Sequence, residues 1–175
     1  MAADPVASRI AKTFMIDPAD QALSYTQEQP ADADAIEALL DHAFGPGRFV
    51  KSSERVREFA EFRPEMSFCA WDDGRLVGVV RMWKVHVGGT PAIFLGPLAV
   101  RAEGRKFGVG GEMVQRACAA AQTAGYPVLL VGDEPYFSRF GFSAAPCKGV
   151  RMPGPVNQRR VLARGVDLLD GPVTA

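Results

Sequence analysis

Leu98-Ala99-Val100-Arg101-Ala102-Glu103-Gly104-Arg105-Lys106-Phe107-Gly108-Val109-Gly110-Gly111 is the most informative segment of the chain. It reads as an apolar strand, a short turn and a glycine-rich entry into a helix. The N–H groups at a helix start have no intrahelical acceptor, and the helix dipole makes that end positive. Glycines there let a ligand approach the backbone closely, because no Cβ intervenes. Phe107 to Gly111 therefore offer amides suited to a phosphate, and Arg105 or Lys106 can add a charge-assisted bond.

Downstream, Gly108 to Ala124 carries Val114, Ala117, Cys118 and Ala121 on one helical face. Met113 reads as core filler. Gly125 and Pro127 end the helix, and Val128 to Val131 is a wholly apolar strand. Strand, helix and strand in that order make a right-handed parallel crossover. A short helix is expected at Tyr136 to Phe140, with late strands near Ser143 and over Arg160 to Val166.

Upstream, the connections are short. Phe68 to Trp71, Leu76 to Val85 and Ala92 to Val100 read as three strands, joined by Asp73-Gly74 and Gly88-Gly89. They form an antiparallel meander. Pro97 cannot donate to a ladder, so it marks a bulge or break. Trp71 and Trp83 read as strand packing. Before the meander, Ile36, Leu39, Leu40 and Ala43 form an amphipathic stripe. Asp32 or Asp34 can cap it, the latter with Glu37 as a capping box. Ser52 or Ser53 opens a second helix carrying Val56, Phe59 and Ala60. Ser24 to Gln27 is a candidate first strand. The fold class is α/β (α+β): a mixed, mostly antiparallel sheet of about six to seven strands, with one parallel crossover and flanking helices.

The 175 residues suit one domain over residues 23–175, with residues 1–22 as an N-terminal extension. Twenty basic and twenty acidic residues cancel, which removes the global electrostatic case for nucleic acid or an anionic membrane. No apolar run reaches the length of a membrane span. Lys148, Arg151, Arg159, Arg160 and Arg164 enrich the last quarter and read as a solvated face. Cys69, Cys118 and Cys147 form no C-x-x-C pair. No metal site is expected, and the thiols read as small buried hydrophobes in a cytoplasmic protein.

The glycine turn excludes two other phosphate motifs. G-x-x-x-x-G-K-S/T is absent, and the spacing does not match a dinucleotide fingerprint. Arg105 to Gly110 does match Gln/Arg-x-x-Gly-x-Gly/Ala, and the chain resembles the GNAT (GCN5-related N-acetyltransferase) superfamily. Gly96-Pro97-Leu98-Ala99-Val100, Gly132-Asp133, Arg139-Phe140-Gly141-Phe142 and Pro153-Gly154-Pro155 follow in the order of its YhbS-type bacterial branch. Ala43-Phe44-Gly45-Pro46-Gly47 is similar to that branch as well. The likeness runs from about Leu23 to Val166.

The resemblance implies acetyl-CoA as cosubstrate, with no metal. Its pyrophosphate would lie on Arg105, Lys106, Phe107, Gly108, Val109, Gly110 and Gly111. Its pantetheine and thioester would pair with main-chain groups of Leu98 and Val100. The implied reaction is direct attack of a primary amine on the thioester, the amine belonging to a small molecule or to a peptide or protein. The family's usual acid is a Tyr four residues before Gly141, where this chain has Phe137. Tyr136 is then the candidate acid, and Asp133 and Glu134 are candidate bases. A non-catalytic acyl-CoA-binding module is the alternative. Both monomer and homodimer are compatible with the family.

Overall fold

A computed structural model describes residues 23–175; the expected extension over residues 1–22 lies outside the described residues. The strands are β1 (Ser24–Gln27), β2 (Glu61–Phe62), β3 (Phe68–Asp72), β4 (Arg75–Val87), β5 (Thr90–Val100), β6 (Val128–Val131), β7 (Gly149–Arg151), β8 (Val161–Arg164) and β9 (Asp170–Thr174). The helices are α1 (Ala33–Phe44), α2 (Ser52–Phe59), α3 (Ala102–Arg105), α4 (Val109–Thr123) and α5 (Glu134–Phe137).

The sheet runs β1-β3-β4-β5-β6-β8, with β2 and β9 also on β4 and β7 on β9. It has nine strands rather than the expected six to seven. The additional ones are short: β2 has two residues, and β7 has three. Only β5–β6 and β7–β9 are parallel. The Asp73-Gly74 turn has φ of 46° and 76°, the two positive values a tight hairpin of right-handed twist needs.

Adjacent strand residues face opposite sides. Ala70, Val80 and Leu130 pack with Met113, Val114 and Ala117 of α4. Cys69, Val79 and Ala99 pack with Ile36, Leu39 and Leu40 of α1 on the other face. The predicted stripes of α1 and α4 are therefore buried, except that Ala43 is exposed; on α2 Val56 is buried, Phe59 is exposed and Ala60 falls just past the helix end. The expected caps differ. Asp32 precedes α1, but its side chain accepts the Gln29 N–H at 2.8 Å instead of capping α1. Glu37 serves ion pairs to Arg48 and Arg81 rather than a capping box. Ser52 opens α2 as expected, with Lys51 before it and no side-chain cap.

Two features of β5 shape the molecule. Val80 pairs with Leu98 and Met82 with Leu95, so Gly96 and Pro97 together face Arg81. This is the bulge that Pro97 forecast. Beyond it, β5 and β6 separate: their ladder holds only Ile93–Val128 and Phe94–Leu129. The strands diverge there, and a cleft opens between them.

Candidate functional site

The site begins at the turn after β5. Gly108 precedes α4 with φ of 71°, a left-handed conformation that glycine adopts without steric cost. The turn uses two of the five expected amides: Phe107 N–H donates to Gly104 O and Gly108 N–H to Arg105 O, both at 3.2 Å. Glu112 N–H then donates to Gly108 O. The N–H groups of Val109, Gly110 and Gly111 have no backbone acceptor among the described residues. They are the orphan donors of a fifteen-residue helix.

Gly110 and Gly111 border a cavity of about 460 Å³ lined by Phe44, Leu98, Val100, Arg105 and Tyr136, among others. Of the nine residues assigned to the cofactor, Leu98, Val100, Arg105, Gly108, Gly110 and Gly111 line it. Val109 is fully buried and does not line it. Lys106 and Phe107 do not line it. Their side chains are exposed and stack on each other at 5.1 Å.

The open edge of β5 leads away from this turn. Arg101 N–H donates to Val77 O at 2.8 Å, toward β4. Main-chain groups alternate sides along a strand, so those of Leu98 and Val100 face the cleft. Arg105 Nε donates to Val100 O from that side at 3.3 Å.

A second cavity of about 490 Å³ continues from the first, sharing Phe44 and Leu98. Its floor is the bulge, with Gly96, Pro97 and Leu98, and its far wall is Leu130 to Asp133 with Phe137. Its roof comes from Arg48 to Glu54 and from Pro155 to Asn157. Ser52 Oγ donates to Pro155 O at 2.6 Å, which ties the Pro-Gly-Pro segment to the start of α2. Trp83 does more than pack: its Nε1 donates to Gly96 O at the bulge, 2.7 Å away.

The proposed catalytic residues are dispersed. Tyr136 lines the glycine-turn cavity, with its Oη close to Gly110 and Arg139 stacked 4.1 Å from its ring. Phe137 lines the second cavity instead. Asp133 is at the rim of that cavity, 73% exposed and paired with Arg160 at 3.2 Å. Glu134 lines neither cavity, and its Oε1 accepts the Ala144 N–H at 3.1 Å.

The sequence reading did not single out the charges around α2. Glu54 lines the second cavity and is 12% exposed. Both its oxygens accept from Arg57 Nη1, at 2.8 and 2.9 Å. Burial pushes the Arg57 guanidinium down from its ordinary value against the pull of Glu54. Arg48, 3% exposed, pairs with Glu37 at 2.6 Å and Asp41 at 3.1 Å. Burial would lower Arg48, but the Glu37 bond and charge raise it above its ordinary value. Burial likewise opposes ionisation of Glu37, yet the Arg48 bond and the charges of Arg48 and Arg81 hold its carboxyl below the ordinary range. A repeated acidic–basic pattern over Glu37 to Arg57 was the available signal. Which pairs become buried depends on how α2 docks.

The described residues contain no helix long and apolar enough to cross a membrane. The model of the acetyltransferase (GNAT) family matches residues 34–142, more than half of the chain. The structure is similar to a GNAT family N-acetyltransferase (YhbS) from Escherichia coli, solved in complex with CoA. That pair has a TM-score of 0.69 and 27% identity, over 86% of this chain and 88% of the other. A GNAT family acetyltransferase from Brucella melitensis, in complex with acetyl-CoA, gives 0.65 and 24% over 89% and 96%. Naa50 of Arabidopsis thaliana, in complex with a bisubstrate analogue, shares the fold at 0.56 and 14% over 82% and 99%. No curated protein matches the sequence closely enough to count as a relative. The match over α1 to α5, on a sheet that opens beside a glycine-rich helix start, places this chain in the GNAT acetyltransferase family.

Proposed function

We propose that the chain transfers an acetyl group from acetyl-CoA to a primary amine by direct attack on the thioester. One observation carries this reading: the helix-start amides of Gly110 and Gly111, which have no backbone acceptor, and the open edge of β5 border two adjoining cavities. The amides of Gly110 and Gly111, with Arg105, suit a pyrophosphate. The main-chain groups of Leu98 and Val100 suit the amides of a pantetheine arm, which would add to the sheet as a strand does. The second cavity then receives the amine beside the bulge. The Leu98 N–H, next to Pro97, is a candidate donor to the thioester oxygen as charge develops there. The CoA and acetyl-CoA held by the two bacterial relatives support the same cosubstrate.

Tyr136 is the proposed proton donor to the departing thiolate, being the one phenol among the residues lining either cavity. Asp133 faces the acceptor side from its rim, whereas Glu134 would need to release Ala144 to serve as a base. The buried thiols fit a reducing, cytoplasmic setting. Phe137, in the cavity wall where the family places a hydroxyl, favours a second reading: an acyl-CoA-binding module without turnover.

Calorimetry with acetyl-CoA, followed by CoA-thiol release across a panel of primary amines, tests both. The expected result is saturable binding and amine-dependent release. Binding without release for any amine favours the module, and absence of binding overturns both readings.

A further inference from the structure

The second cavity holds two carboxylates, and they differ in one decisive respect. Asp133 is 73% exposed and paired at the rim, whereas Glu54 is 12% exposed inside. A carboxylate shielded from water acts on its neighbours far more strongly than one at the surface. Glu54 is also held in one orientation. Arg57 Nη1 binds both oxygens, yet a carboxylate has about four lone-pair sites, so acceptor capacity remains. Arg57 is itself fixed: its guanidinium lies 5.2 Å from the Trp83 ring, and Trp83 Nε1 holds Gly96 O at the bulge. The carboxylate and the bulge are thus tied together through two side chains, on either side of the space the amine must enter.

We propose that Glu54 is the general base of the acceptor site, receiving the proton of an incoming ammonium group. This rests on the acetyltransferase reading above. The acceptor arrives as R–NH3+ and gives one proton to the Glu54 carboxylate. The neutral nitrogen then attacks the thioester carbon, forming the C–N bond. Collapse breaks the C–S bond, whose electron pair leaves on sulfur. Tyr136 protonates that thiolate and takes up the second nitrogen proton in its place, and Glu54 returns its own proton to solvent through the cavity mouth. The products are the amide, CoA thiol and one proton. Arg57 is the positioning residue that holds the carboxylate in place.

The test needs no knowledge of the natural acceptor, because water entering the same cavity would use the same base. CoA-thiol release from acetyl-CoA is measured with water alone and with the amine panel. Glu54→Gln keeps the shape and one of the two bonds from Arg57. It should lower release by about 100-fold, the usual contribution of a general base, with acetyl-CoA affinity within twofold of wild type. In Glu54→Ala, added formate should restore a substantial part of the rate, which a purely structural role would not permit. Release from Glu54→Gln within threefold of wild type overturns the assignment. So does a folded Glu54→Ala that formate does not rescue. Wild-type protein that fails to bind acetyl-CoA instead overturns the acetyltransferase reading, and this assignment with it.

Discussion

Gly110 is where single-residue chemistry is most exposed to test. A Cβ built there meets Tyr136 Oη and Val100 Cγ2 at 3.4 Å, ordinary contact distances. The helix itself therefore tolerates a side chain, and any loss on substitution belongs to the ligand. Gly110→Glu places bulk and negative charge beside the free amides. It should weaken acetyl-CoA by more than about tenfold, or 1.4 kcal/mol, with an unchanged thermal midpoint; calorimetry checks both. This residue was legible because its role is a backbone role: glycines at a helix start declare bare amides wherever they occur. Phe107 and Gly108 show the limit, since which amides the turn consumes is a matter of a few tenths of an ångström. Glu54 was not legible at all. Nothing in Ser52-Ser53-Glu54-Arg55 distinguishes a solvated carboxylate from a buried one.

At the scale of elements, the Pro153-Gly154-Pro155 segment and α2 form one unit. A Cβ on Gly154 would fall 3.0 Å from Ser52 Oγ and 3.3 Å from Arg55, so glycine permits the close approach. Ser52→Ala removes the 2.6 Å bond to Pro155 O, at a cost of about 1 kcal/mol. The roof of the acceptor cavity should loosen. Steady-state kinetics should show KM for the amine rising several-fold while KM for acetyl-CoA stays put. The meander, the crossover and α4 were readable because hydrophobic period and turn residues specify them locally. β2, β7 and β9 were not. Two or three residues cannot display a period, and Gly171-Pro172 in β9 reads as a breaker. Gly171 is required there both by its φ of 113° and by contact, since a Cβ would lie 2.7 Å from Gly88 Cα.

For the molecule as a whole, burial sets the behaviour of the three cysteines. Burial pushes the Cys69 thiol up to about 12 and Cys147 up to about 11, with Cys118 also raised. For Cys69 the nearby charges of Asp32 and Glu28 add to the shift. A raised folded value means that the folded state keeps its proton while the unfolded chain ionises. The contribution is complete below the ordinary value of 9.0 and is lost as pH rises toward 12. Between about pH 8 and about pH 10, urea unfolding should show Cys69→Ala losing about 1 kcal/mol less stability than wild type. The buried pair of Arg81 and Glu28, 2.8 Å apart at 11% and 6% exposure, anchors the same region opposite the bulge. Such a pair is costly to break singly, because it leaves one charge buried alone. Composition made the buried thiols readable. The ion pairs depend on which strand faces which helix, and a single sequence does not encode that locally.

The central claim is that the helix-start amides and the open edge of β5 form one continuous cofactor track. A crystal structure with acetyl-CoA tests it most directly. Pyrophosphate oxygens are expected at hydrogen-bond distance, about 3 Å, from the nitrogens of Gly110 and Gly111, with the pantetheine arm paired to Leu98 and Val100. Acetyl-CoA bound elsewhere, leaving those four residues untouched, would contradict it.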